Sequence, residues 1–222
     1  MVLLVSFALA QEPVQRSLPV GIPALHVQNP AGRLLVEHDP TALQSSVTVT
    51  EVAWAEGCRV EFSGDMKLAV VAVVRDEKSP SLCVSDVHVV LAGHTAVAVD
   101  QGRGRVEARG LQRGFNAELR VGRVRVDEVQ GPVEVEVGLG GARMRWTGQY
   151  GGSAVARVRV GRVRAQVPYG TWLDHDVSGG VAFNPIPSGL ESPDKLTAKA
   201  TIVRVDTAQS AIQPSALVVW SE

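Results

Sequence analysis

Two eight-residue stretches 39 positions apart, Leu119-Arg120-Val121-Gly122-Arg123-Val124-Arg125-Val126 and Val158-Arg159-Val160-Gly161-Arg162-Val163-Arg164-Ala165, alternate apolar and polar residues around a central glycine. Alternation with a period of two is the mark of a half-buried strand. The Gly-Arg-x-Arg motif they share recurs at Gly102-Arg103-Gly104-Arg105 and, with one residue inserted, at Gly141-Ala142-Arg143-Met144-Arg145. Gly180 continues the beat without the arginines, and the successive glycine steps are 20, 19, 20 and 19. A unit of this length cannot bury its own apolar face and must stack on copies of itself. The pattern therefore predicts an all-β chain built as a β-solenoid with coils of about 19–20 residues. Gly104, Val106, Val124, Val126, Met144, Trp146, Val163 and Ala165 are its expected core, and the glycines before each strand are expected to turn the corners.

Outside the repeat the pattern stays β. Strands are expected at 33–37, 46–53, 59–62, 67–75, 82–91, 95–99, 196–206 and 216–220. The unbroken apolar run 68–74 is expected to be covered on both faces. One turn of helix is expected near Asp39-Pro40-Thr41, with the aspartate as cap, and the proline-rich stretch 184–194 reads as a loop.

The chain resembles the bacterial "putative adhesin" domains of unknown function, which repeat short Gly-x-Val-x-Val strands at a period near 20. The resemblance rests on Gly32-Arg33-Leu34-Leu35-Val36 and on residues 122–137, and spans residues 30–206. It implies a right-handed, single-domain β-solenoid at the cell envelope, with no catalytic residues or cofactor to carry over. The residue after the glycine, commonly Asp in that family, is Arg here, so the surface chemistry is this chain's own.

Composition agrees with a thin β interior: 39 of 222 residues are Val, four are Ile and 5% are aromatic. The apolar run 2–10 ends in Ala8-Leu9-Ala10, a small-x-small pattern that reads as a secretory signal at 1–10; a frayed apolar strand is the alternative. Export to the periplasm or beyond follows from the first reading, with cap segments at 11–29 and 207–222 flanking the solenoid at 30–206. Cys58 and Cys83, 25 residues apart in such a compartment, are expected to form one disulfide.

The formal net charge of −1 excludes a uniformly basic protein, yet it is unevenly spread. Residues 102–170 hold 13 Arg against 6 acids. If coils stack in register at a spacing of about 4.8 Å, Arg103, Arg123, Arg143 and Arg162 make one column and Arg105, Arg125, Arg145 and Arg164 a second. Such a ladder suits a repetitive anion, an acidic polysaccharide, lipopolysaccharide or nucleic acid, because guanidinium forks pair with phosphate and carboxylate. An envelope protein is another partner it would fit. The plainer alternative is that Arg, at 18 against four Lys, is the chain's solubilising residue.

No nucleophile elbow, phosphate loop or zinc-protease motif occurs. Asp174-His175-Asp176 is the one dense polar cluster. Asp174 and Asp176 could converge on a metal or act as paired carboxylates in a small carbohydrate-active enzyme, with His175 facing away; a solvated turn is the other reading. His88 and His94 read as strand-surface or satisfied core residues without partners, and Trp146 as core filling.

Overall fold

The computed structural model describes residues 12–54, 56–76, 82–146 and 153–166, and the backbone alone of Val167 and of strands 173–178, 201–207 and 217–221. The segments expected to be a signal (1–10) and a proline-rich loop (184–194) lie outside the described residues. Thirteen strands and no helix occur among those described: β1 (Val14–Ser17), β2 (Ala24–His38), β3 (Ser46–Ala53), β4 (Cys58–Gly64), β5 (Leu68–Arg75), β6 (Val84–Leu91), β7 (Ala96–Arg109), β8 (Phe115–Asp127), β9 (Val133–Arg145), β10 (Ser153–Val167), β11 (Leu173–Ser178), β12 (Thr201–Thr207) and β13 (Leu217–Ser221).

The strands form one mixed sheet in the order β1-β3-β6-β2-β7-β8-β9-β10-β12-β11, with β5 also on β2, β4 on β5 and β13 on β10. Its middle is parallel. β2, β7, β8, β9 and β10 pair in register along almost their whole length. Each of these long strands bends at a glycine of positive φ, Gly32, Gly104, Gly122, Gly140 and Gly161, at 121°, 124°, 143°, 139° and 146°. The five glycines stack in one column. A Cβ at Gly122 would lie 1.9 Å from the Gly104 carbonyl oxygen, and one at Gly161 would lie 1.7 Å from that of Gly140. Only glycine fits such a bend, both for its φ and for the close approach of the backbone behind it.

The bend also reverses which alternate positions face inward. In β7 the residues facing the core are Val97, Val99 and Gln101 before it and Val106 and Ala108 after it. In β8 they are Phe115, Ala117 and Leu119 before it and Val124 and Val126 after it. Each long strand thus supplies two apolar half-strands to one core, which is mainly Val, Ala and Leu, with Trp146 the bulkiest fully buried side chain. The Trp146 indole N–H donates to the Val129 carbonyl at 2.7 Å, which answers its one polar atom.

The pairing corrects the expected frame. Neighbouring strands are offset by 18 residues from β7 to β8 (Val97 opposite Phe115), by 18 from β8 to β9 (Phe115 opposite Val133) and by 21 from β9 to β10 (Val133 opposite Ala154). The column therefore runs through Gly104 and Gly140, not Gly102 and Gly141. The sequence offers two glycines at each place, and the positive φ together with the apolar column Leu34-Val106-Val124-Ala142-Val163 selects one.

The end of the sheet beyond β2 is built differently. From β2 the chain passes through β3, the antiparallel β4–β5 hairpin and β6, then returns to lay β7 on the opposite edge of β2. β3 runs antiparallel to β6, and β1 antiparallel to β3. Cys58 at the start of β4 is bonded to Cys83 just before β6, with a Cα–Cα distance of 5.8 Å, as the spacing predicts. The Arg16 guanidinium lies 4.9 Å from the Phe62 ring centroid, tying β1 to β4. The apolar run 68–74 is only partly covered: Ala69, Val71, Ala72 and Val73 are buried and Leu68 is exposed. Asp39 caps a turn rather than a helix; the Thr41 hydroxyl and amide donate to its carboxylate at 2.6 and 2.8 Å and hold it below the usual carboxylate range.

Candidate anion-binding face

The half-strands after the bend turn their polar positions outward, and the register decides which arginines become neighbours. One column reads Arg33-Arg105-Arg123-Gly141-Arg162 from β2 to β10. The next, two residues on, reads Leu35-Glu107-Arg125-Arg143-Arg164, and a third reads Glu37-Arg109-Asp127-Arg145-Gln166. Seven of the eight arginines expected in a ladder share this face; Arg123 with Arg162 and Arg125 with Arg164 keep their expected columns, while Arg105, Arg143 and Arg145 each fall in another. Arg103 does not join them. It lies before the Gly104 bend, in register with Ala31 and Val121.

Two acids that the arginine spacing did not single out sit inside the array. Glu107 is wholly shielded from solvent, although it occupies an outward position, because arginines fold over it. The Arg33 Nη2 donates to its Oε1 at 3.1 Å, Arg105 Nε approaches the same oxygen at 2.7 Å, and Arg109 Nη2 donates to Oε2 at 2.6 Å. Burial pushes this carboxyl up, but the Arg109 hydrogen bond and the fields of Arg105, Arg109 and Arg33 outweigh it and hold the group below its ordinary range. Asp127, also buried, accepts from Arg125 Nε at 2.5 Å and lies 3.4 Å from Arg145 Nε. Arg33 and Arg109 likewise escaped the motif. Arg33 follows Gly32 as the other arginines follow their glycines, and that was the available signal.

The buried acids divide the face. At the β2–β7 end Arg33, Arg105 and Arg109 converge on Glu107, and beside them Arg125 and Arg145 attend Asp127. Arg123, Arg143, Arg162 and Arg164, on β8, β9 and β10, have no side-chain partner among the described residues. They surround Gly141, which leaves a gap in their column. Four adjacent like charges without a counter-ion are unfavourable by a few tenths of a kcal/mol per facing pair. An anion of matching geometry would relieve this repulsion.

The half-strands before the bend carry a different surface. Asp100, Glu118 and Glu136 form a column that meets Arg157 on β10 and continues to Asp206 on β12. Arg157 reaches Glu134 at 2.5 Å, and His26 Nε2 lies 2.8 Å from Asp100 Oδ2. His88, expected to lack a partner, lies 2.8 Å from Glu37 across the β6–β2 pair. Asp174, His175 and Asp176 lie on β11, whose backbone pairs with β12 and is a strand rather than a turn; their side chains lie outside the described residues. Among the described residues no three His, Cys, Asp or Glu side chains come together as a metal site.

No family model and no curated protein matches the chain. Solved structures do. A "putative cell adhesion protein" from Clostridium sporogenes ATCC 15579 is 15% identical, with 95% of this chain covering 100% of that one at a TM-score of 0.55. The likeness is one of fold. A "putative adhesin" from Bacteroides fragilis NCTC 9343 (8% identity, 96% and 98% covered, TM-score 0.34) is more distant. So is a "putative lipid binding protein" from Parabacteroides distasonis ATCC 8503 (10% identity, 95% and 95% covered, TM-score 0.21).

Proposed function

We propose that this chain is an exported, non-enzymatic, adhesin-like β-solenoid of the cell envelope that binds anionic envelope polymers, acidic polysaccharide or lipopolysaccharide, through the arginine face of β8–β10. The solenoid reading is supported by parallel strands that follow one another at steps of 18, 18 and 21 residues with bends in register. Export is supported by the Cys58–Cys83 cystine, a bond that persists in oxidising compartments; residues 1–10 would be the signal, and the product acts in the periplasm or outside the cell. The observation that carries the binding role is the set of four arginines, Arg123, Arg143, Arg162 and Arg164, that share one sheet face and have no side-chain partner among the described residues.

The test is retention on immobilised heparin at low salt, comparing wild type with the Arg123/Arg143/Arg162/Arg164→Gln variant. Wild type is expected to bind, and the variant to elute near the void while melting like wild type. Equal retention of the two proteins would overturn the assignment.

A further inference from the structure

The same three strands that bear the arginines without a side-chain partner among the described residues also bear a row of exposed aliphatic side chains. Val121, Leu139 and Val160 are in register across β8, β9 and β10, two residues before the Arg123-Gly141-Arg162 column. Val121 is 39% exposed and Leu139 51%, and Val160 is partly exposed. They come next after the inward-facing positions of the half-strands before the bend, Phe115-Ala117-Leu119 on β8 and Val133-Val135-Val137 on β9, but at the bend that series leaves the core and they are exposed or half-exposed. Arg120 and Arg159 precede two of them directly, while Glu118 and Glu136, three residues before Val121 and Leu139, belong to the outward face of the other half-strands. The register position is filled differently elsewhere, by the buried Ala31 on β2 and by Arg103 on β7. Aliphatic row and cations therefore coincide on β8–β10.

We infer that the bend of β8–β10 docks on an anionic lipid surface, with Val121, Leu139 and Val160 entering the headgroup region and Arg123, Arg143, Arg162 and Arg164 pairing with lipid phosphates. This rests on the arginine face being an anion-binding face, and it adds the source of the anion. A soluble polysaccharide accounts for the cations but gives three in-register aliphatic side chains nothing to bury against. A bilayer surface accounts for both, because interfacial binding grows with buried apolar area and with attraction to anionic headgroups. Arginine also suits the phosphates, which it can grip through two parallel hydrogen bonds.

The experiment is co-sedimentation of the full chain with vesicles of phosphatidylcholine, with and without phosphatidylglycerol, run beside heparin retention. Wild type is expected to partition at least tenfold more strongly onto the phosphatidylglycerol vesicles. Val121→Ser/Leu139→Ser is expected to lose that partitioning tenfold or more with heparin retention unchanged; both side chains are exposed, and a thermal melt checks the fold. Arg123/Arg143/Arg162/Arg164→Gln is expected to lose both. Wild type that retains heparin but ignores phosphatidylglycerol vesicles, or a serine variant that partitions like wild type, would overturn the lipid docking and leave the anion-binding face standing. Wild type that binds neither would overturn both.

Discussion

Glu107 occupies an outward strand position and is nonetheless fully shielded, because Arg33, Arg105 and Arg109 close over it. Those guanidiniums are each about half exposed, which screens the interaction. Glu107→Gln removes the anion that three cations share, and is expected to destabilise the fold by about 1–2 kcal/mol, below the 3–5 typical of a fully buried pair. Chemical denaturation would measure it. The carboxyl is lowered in the folded state relative to an ordinary value of 4.5. Its contribution is therefore complete above that value and is lost as pH falls through the folded one. Melting temperature is expected to be insensitive to this group at neutral pH and to fall below about pH 4.5, with a shallower fall in Glu107→Gln. An acid slope identical in the two proteins would rule this assignment out.

At the scale of elements, the glycine column and the cystine hold different parts. Gly122 sits at φ 143°, and a Cβ there would meet the Gly104 carbonyl oxygen at 1.9 Å, so strand separation, not side-chain adjustment, is the only relief. Gly122→Ala is expected to destabilise by about 3 kcal/mol or more, whereas Gly93→Ala, with no atom within 4 Å of the added carbon, is expected to be mild. A Gly122→Ala protein melting within a few degrees of wild type would contradict the bend. The cystine closes a 25-residue separation and is expected to add about 3 kcal/mol through the unfolded chain. Since it ties β4 to the start of β6, its reduction is expected to raise hydrogen exchange in β4 and β5 before β7–β9. The same elements show what local pattern carries. The strand expected at 46–53 coincides with β3, because alternation alone defines an edge-side antiparallel strand. The register of β7–β10 was not legible. Gly102 beside Gly104, and Gly140 beside Gly141, allow two frames, and only the tight backbone contact and the matching of apolar columns choose between them. The half-strand 24–29, inside the segment expected as a cap, pairs with β5 and β7, and its buried Asn29 donates to the Ser85 carbonyl at 3.1 Å. Glu107 and Asp127 were missed for a related reason: alternation marks them as outward, and it takes three dimensions to show arginines covering them.

For the molecule as a whole, a net charge of −1 conceals a face on which nine arginines (33, 105, 109, 123, 125, 143, 145, 162 and 164) surround two buried acids. On the proposed anion-binding face, affinity would depend on the cations left free, and so on the internal acids as well as on the arginines. By the counter-ion release that governs polyanion binding, four engaged arginines imply that log K falls with log salt at a slope of about −3. Glu107→Gln leaves the four outer arginines untouched and releases Arg33, Arg105 and Arg109 from their shared partner. It is therefore expected to elute from heparin at higher salt than wild type, with a steeper slope, even though it is the less stable protein. Gain of binding with loss of stability separates this effect from unfolding, which would weaken both. Elution of Glu107→Gln at or below the wild-type salt concentration would show that the β2–β7 arginines stand apart from the binding face.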